Sequence, residues 1–332
     1  MGAAPLHAPF IILLTRNEVN KLLFYSTFVT GLQEPIAEWV GEEGHRVRQV
    51  LDGAIMYDAR ENAKNKSPLP CFFNTFAVID HEKRPVSVEN MMRKVLQKPG
   101  KFRRGRGTFR IVTSRENQLI SVDAHLRNNM EKLIAAKTGL KSERRGGGHE
   151  FWFLSRSEGV TLFMERQPVG VSDRLRKGEL RPQLAYCLNR LAQPGAGDVM
   201  ADPFCGYGGI TKARALHFPC KEIHGLDAAP IDKKSRKADI SQLSTIFQAQ
   251  SVDVIVTDPP WGNFKDSGNL SEIYAQLAEG CRRVLKTGGR AVVLSAQKEL
   301  MRSEIWDWAR LEACYDILVS GHKAGIFVYN RG

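Results

Sequence analysis

The sequence predicts an α/β chain: a doubly wound domain on a parallel sheet, closed by a terminal antiparallel hairpin and preceded by small α+β units. Three observations carry this reading. Short apolar runs at Asp198–Ala201, Glu222–Leu226, Val252–Val256 and Arg290–Ser295 alternate with stretches of helical pattern. The first three of these runs each lead into an aspartate, at 202, 227 and 258. Before residue 167 strand and helix patterns mix without that regular alternation.

In chain order, Lys21–Thr27 is β-rich, Leu32–Val40 is amphipathic, and Val47–Tyr57 reads as extended. Together they give a small ferredoxin-like α+β domain over residues 1–65, ending in the polar, proline-containing stretch Lys64–Pro70. Cys71–Ile79 reads as a strand, and Val88–Leu96 as a helix with Val88, Met91, Met92 and Val95 on one face. Phe109–Val112 is a strand. Asn128–Lys137 is a helix with Gly139 as its left-handed cap. Glu150–Leu154 and Val160–Glu165 pair across Ser155–Gly159 and close a second unit, residues 66–166. Residues 167–179, with Pro168, Gly170 and Gly178, form a linker, and residues 180–332 form the last domain. Within it Ile210–Leu216 is helical, and Trp306 and Trp308 pack from a helix near Ile305. Asp316–Ser320 and Gly325–Tyr329 make the closing hairpin.

A chain of 332 residues with 42% hydrophobic and 25% charged residues builds two or three globular domains. Its net charge is +12, and residues 1–180 hold 29 Lys and Arg against 20 Asp and Glu, so most of the excess lies in the first half. Such an excess attracts nucleic acid or anionic lipid. The densest stretch, Arg93 to Arg115, contains nine basic residues and no acid. Lys101, Arg103, Arg104, Arg106 and Arg110 are its phosphate-binding candidates, and Arg144 and Arg145, followed by three glycines, are a second set. A solvated basic loop is the bland alternative for both.

The opening apolar run, Phe10–Leu14, falls far short of the ~20 residues a membrane span needs. Pro9 and the absence of a basic start argue against a leader peptide, so no membrane partner is expected. The six cysteines include no Cys-x-x-Cys pair. Reduced thiols in the cytoplasm and no metal site are the expectation.

The chemistry concentrates in three turns. Asp202-Pro203-Phe204-Cys205-Gly206-Tyr207-Gly208-Gly209 follows a strand and precedes a helix, where glycines let the backbone approach a ligand at the carboxyl edge of the sheet. Its spacing departs from the dinucleotide pattern G-x-G-x-x-G, which disfavours NAD. Asp227 ends the second strand, where a carboxylate can accept from both hydroxyls of a ribose. Asp258-Pro259-Pro260-Trp261-Gly262 ends the third. There a carboxylate and a carbonyl stiffened by two prolines can hold the two N–H groups of an exocyclic amine, and an indole can stack on a flat base. Taken singly, a structural turn or a solvated aspartate accounts for the first two.

Taken together, Asp202–Gly209 and Asp258–Gly262 resemble motifs I and IV of Rossmann-type amino-group methyltransferases. Gly178–Ala185 is similar to the segment before motif I in RNA guanine-N2 methyltransferases, Thr15–Gly53 resembles their small N-terminal domain, and Phe109–Arg166 looks like the later part of a THUMP domain. The family so indicated is the THUMP-containing tRNA guanine-N2 methyltransferases. The resemblance implies S-adenosylmethionine as cofactor, held by Asp202, Phe204, Cys205, Gly206, Gly208, Asp227, Asp239 and Asp258. It implies Asp258, Pro259, Pro260 and Trp261 as catalytic residues and tRNA or another structured RNA as partner, and it leaves the oligomeric state and a small activator subunit open. Two departures stand out. Trp261 replaces the usual Tyr or Phe, as in some adenine-N6 enzymes, and only eleven residues separate Asp227 from Asp239, so the usual helix and strand must be short or absent. Methylation of adenine N6 in RNA or DNA is one alternative. An RNA-binding protein without catalysis is the other.

Overall fold

The computed structural model describes residues 22–59, 68–145, 148–168, 175–262, 269–319 and 321–332. The expectations for residues 1–21, the boundary at 65/66, residues 169–174 of the linker and the glycines at 146 and 147 lie outside them.

The first half forms one sheet of nine strands among the described residues. In chain order its elements are β1 (Leu23–Thr27), α1 (Gln33–Glu42), β2 (Arg46–Leu51), β3 (Ala54–Asp58), β4 (Asn74–Glu82), α2 (Val88–Gln97), β5 (Thr108–Arg115), β6 (Gln118–Leu119), α3 (Ala124–Thr138), β7 (Lys141–Ser142), β8 (His149–Arg156) and β9 (Val160–Arg166). The strands lie in the order β2-β3-β1-β4-β9-β8-β5-β6, with β7 beside β5. The two small units expected from the sequence therefore share a sheet, because β4 pairs with β1 on one side and β9 on the other.

Local chemistry sets the elements. The Val47–Tyr57 run, read as one extended piece, is a hairpin, and Gly53 (φ +65°) turns it. The strand expected at Cys71–Ile79 starts three residues later, after Cys71 and Phe72 have gone into the core. Ser87 caps α2 through the Asn90 amide at 3.1 Å, and Asp123 caps α3 through Leu126 at 2.9 Å. Gly139, at φ +79°, ends α3 in the left-handed region, as its position predicts. Val88, Met91, Met92 and Val95 are buried on one side of α2, against Met130 and Ile134 of α3 and phenylalanines of the sheet.

The second half holds α4 (Pro182–Leu191), β10 (Val199–Asp202), α5 (Gly209–His217), β11 (Glu222–Asp227), β12 (Arg236–Lys237), α6 (Leu243–Ile246), β13 (Val252–Thr257), α7 (Leu270–Val284), β14 (Leu285–Ser295), α8 (Lys298–Met301), β15 (Ala309–Val319) and β16 (His322–Arg331). Its sheet runs β12-β11-β10-β13-β14-β16-β15, parallel from β12 to β14 and antiparallel thereafter. The predicted strands and closing hairpin are all present. The tryptophans near 305 do not sit on an α-helix. Glu304–Trp306 is a single 3-10 turn, and Trp306 is buried flat against Tyr329 with ring centroids 4.6 Å apart.

One apolar core joins the halves. Phe28, Leu32, Ile36, Trp39 and Val40 from the first pack into the same cluster as Leu184, Tyr186, Leu188, Ile317 and Ile326 from the second. Trp39 meets Tyr186 edge-on at 6.4 Å, and the Arg190 guanidinium lies 4.9 Å from the Trp39 ring centre while bonding Glu42 at 2.6 Å. Gly31, at φ +99°, lets the backbone after β1 close onto the Asp316 carbonyl of β15, where any side chain would collide. Trp39→Ala should cost on the order of 3 kcal/mol and split thermal unfolding into two transitions as the halves uncouple. One transition with an unshifted midpoint would show that this seam does not hold them.

Candidate active site

The second sheet reverses its winding between β10 and β13. The chain passes outward from β10 through β11 to β12, then returns to lay β13 on the other flank of β10, with Ala201 beside Ile255. Crevices at such switch points, outside the carboxyl ends of the strands, are where doubly wound sheets bind ligands. The loops after Asp202 and Thr257 therefore share one edge, and the Thr257 hydroxyl donates to Asp202 Oδ1 across it at 2.8 Å.

The glycine loop is built from backbone bonds. Cys205 N–H donates to Leu226 O at 2.9 Å, fixing the loop to β11. Gly206 (φ +47°) and Gly208 (φ +74°) take left-handed conformations, and the space where a Gly206 side chain would sit is open. Asp227 holds the loop from the side. Its carboxylate accepts the Gly206 amide at 2.9 Å and the Ala229 amide at 2.8 Å. Phe204 leans on the apolar cluster under the sheet, and its amide donates to Asp202 Oδ1 at 3.2 Å.

Asp202 is buried, and its Oδ2 has no partner among the described residues. Burial pushes its pKa up to about 8, against the lowering effect of Thr257 and the Phe204 amide, with the charges of Asp258 and Asp227 adding to the rise. Asp258 is raised to about 7 by burial, and the Trp261 indole opposes that rise by donating to Oδ1 at 2.9 Å. The indole, expected from sequence to stack on a base, fixes the carboxylate and rests on the apolar core.

Three residues that the sequence reading missed hold the Asp-Pro-Pro-Trp turn. Tyr274 on α7 donates to the Pro260 carbonyl at 3.3 Å and bonds Ser295 at 2.5 Å. Gln297, just past β14, donates to the Trp261 carbonyl at 2.7 Å. Ser295 and Gln297 could have been found by extending the carboxyl-edge rule to the next strand. Tyr274 carries no such signal, since its place on α7 reads as core. The Pro259 carbonyl accepts from no described residue.

Asp239 lies just beyond β12 and caps a 3-10 turn, accepting from Ser241 N at 3.0 Å and Ser241 Oγ at 2.7 Å. β12 itself is two residues long and no helix precedes it, which accounts for the short spacing from Asp227. Among the basic residues, Lys101, Arg103, Arg104 and Arg106 lie exposed on an irregular segment before β5, and Arg145 is exposed too. Arg110 is not a free cation: the parallel β5–β8 register sets it beside Glu150, with which it pairs. Arg144 bonds Asn128 at 2.9 Å and lies 3.5 Å from Glu131. No helix among the described residues is long and apolar enough to cross a membrane.

Residues 170–220 and 230–315 match the RMKL-like methyltransferase domain family UPF0020. The chain is 28% identical over 154 residues to the U6 snRNA (guanine-N(2))-methyltransferase THUMPD2 of Bos taurus, covering 42% of this chain and 30% of that protein. It is 29% identical over 148 residues to the probable tRNA (guanine(10)-N2)-dimethyltransferase of Methanothermococcus thermolithotrophicus, covering 39% of this chain and 89% of that one. The matches to the mammalian relatives thus span about a third of their length. The fold is that of TrmN from Thermus thermophilus, with a TM-score of 0.75 at 20% identity over 94% of this chain and 100% of that one.

Asp202 binds its proton more tightly folded than unfolded, so its contribution to stability is full below about pH 4 and is lost as the pH rises through about 8. Asp202→Asn removes that loss. Thermal unfolding across this range should show the variant gaining on the parent as pH rises; a constant offset between them would remove Asp202 as the titrating group.

Proposed function

Because the chain carries a methyltransferase domain of the UPF0020, RMKL-like family, we propose that it moves a methyl group from S-adenosylmethionine to the exocyclic N2 of a guanosine in structured RNA, tRNA above all. One observation carries the reading: the Thr257–Asp202 bond sets the Asp258 turn beside the glycine loop, so a nucleoside cofactor and a flat base can meet at one edge. The guanine-N2 and RNA assignments draw support from the names of the relatives. Residues 66–166 would serve as the THUMP RNA-binding domain. The six unpaired thiols suit a reducing compartment such as the cytoplasm.

The residues present fit the cofactor. The open space at Gly206 admits a ligand against backbone, the Asp227 carboxylate retains lone pairs for ribose hydroxyls, and the unpaired Asp202 Oδ2 is a free hydrogen-bonding group beside that loop. Cys205 and Gly208 shape the same loop, and Asp239 stands at the adjoining sheet edge for the adenine amine. When bound, S-adenosylmethionine supplies an electrophilic methyl carried on a sulfonium.

The chain's own task is to make a poor nucleophile attack. A guanine amine delocalises its lone pair into the ring. Asp258 accepts one N–H and the Pro259 carbonyl the other, which turns the nitrogen toward the methyl and favours tetrahedral geometry. Trp261 holds Asp258 Oδ1, so Oδ2 faces the amine, and Tyr274 with Gln297 keep the turn rigid. The base reaches this turn only out of its stack.

Trp261 after the two prolines supports adenine N6 as a second reading, and nucleoside mass spectrometry on an unmodified tRNA transcript separates N2-methylguanosine from N6-methyladenosine. Asp258→Asn should lower turnover on the order of 10²-fold and leave cofactor binding near that of the parent. The parent's rate should rise with pH through about 7, where Asp258 ionises, and then level off; the variant's profile should be flat. Normal turnover in the variant would refute the role. Separately, Arg103→Ala/Arg104→Ala/Arg106→Ala should weaken RNA binding and reduce its salt slope by roughly 2–3. An unchanged slope takes this loop out of the interface.

A further inference from the structure

The place of the missing helix after β11 is taken by residues 228–235, which lead directly into edge strand β12. Backbone bonds order this segment. The amides of Ile231 and Asp232 both donate to Gly206 O at 3.1 Å, Ser235 N–H donates to Asp232 O at 3.1 Å, and Ala238 N–H donates to Asp227 O at 2.9 Å. A side chain on Gly208 would strike the Asp232 carboxylate, so the segment lies directly on the glycine loop. Lys233 and Lys234 of this segment and Arg236 and Lys237 of β12 are all exposed. None of the four is paired with an acid among the described residues, in contrast to Arg110 or Arg144.

The other flank of the loop carries more positive charge. Arg176 lies over the Tyr207 ring at 5.5 Å, and the Tyr207 hydroxyl donates to the Lys177 carbonyl at 3.5 Å. Both cations are exposed. The nearby acids are already engaged: Asp232 pairs with Lys212 at 3.4 Å, and Glu179 accepts the Arg176 amide at 3.1 Å. The positive charge at this edge is therefore left for a ligand outside the protein.

The chemistry of that ligand follows from its position. The methyl donor carries no phosphate, and its single carboxylate cannot occupy six cations, so most of them answer to something else that comes to the same edge. A nucleotide swung out of its stack brings two flanking phosphates with it. We infer that Lys233, Lys234, Arg236 and Lys237, with Arg176 and Lys177 beside Tyr207, form a collar around the glycine loop that grips backbone phosphates of the RNA whose nucleotide is presented to Asp258. This inference rests on the RNA methyltransferase reading. It adds a second RNA-binding surface, on the catalytic half, independent of the basic segment at 101–106.

The test uses the full chain and an unmodified tRNA transcript. Lys233→Gln/Lys234→Gln/Arg236→Gln/Lys237→Gln should raise the KM for RNA and reduce the salt slope of binding by up to ~3, at about 0.7 for each single-strand phosphate no longer neutralised. Calorimetric affinity for S-adenosylmethionine should stay at the parent value. Arg176→Gln/Lys177→Gln leaves β12 untouched, should shift KM and slope in the same direction by a smaller amount, and carries the test if the fourfold variant does not fold. Parent-like KM and slope in the folded variants overturn the collar while the methyltransferase reading stands. A parent chain that binds no RNA and methylates none overturns both.

Discussion

The hydrogen bond from Thr257 to Asp202 spans the point where the second sheet reverses its winding. Parallel strands put all their carboxyl ends on one edge, and the reversal opens a gap there because the connecting segments leave in opposite directions. The glycine loop goes one way from β10, and the Asp-Pro-Pro-Trp turn leaves β13 the other way. A short bond between buried side chains at the two strand ends fixes their separation. The remaining bonds of the site, from Asp227 to the glycine loop and from Tyr274 and Gln297 to the turn, tighten an arrangement that the strand order has already made.

Three carboxyl groups converge where the glycine loop meets the Asp-Pro-Pro-Trp turn. Asp202, Asp227 and Asp258 come together in a chain whose net charge is +12. Two of them are buried enough to resist ionisation near neutral pH. Carboxylates so desolvated suit a ligand that brings its own positive charge, because its arrival replaces the solvation that burial removed. A sulfonium donor has that character. The uncompensated Asp202 oxygen is a local penalty, and among the described residues it is the unpartnered buried side-chain oxygen that lies at this edge.

The parallel strands, the glycine loop and the proline turn were legible in the sequence, since each follows from local pattern: apolar runs of strand length, glycines at a strand end, a stiff dipeptide after an acid. The helices α2 and α3 were legible for the same reason. What depended on pairing between distant segments was not. Tyr274 looks like any apolar residue of a helix until β14 places Ser295 beside it. Arg110 reads as free until the β5–β8 register brings Glu150 alongside. The two α+β units could not be seen to share a sheet, because that depends on β1 pairing with β4 across the expected boundary between them. The helix placed near 305 failed because burying Trp306 against Tyr329 outweighs a weak local preference.

The apolar seam between the halves has a mechanical side. Leu32, Ile36 and Trp39 are sunk beside Leu184 and Ile317, and the backbone at Gly31 rests on that of Asp316. A paddle on a loose tether could sweep through many orientations, but a shoulder packed in this way cannot. On the proposed RNA-binding reading, a polymer held on the sheet of the first half is carried at a fixed offset from the carboxyl edge, set by the thickness of the packed side chains between the two parts.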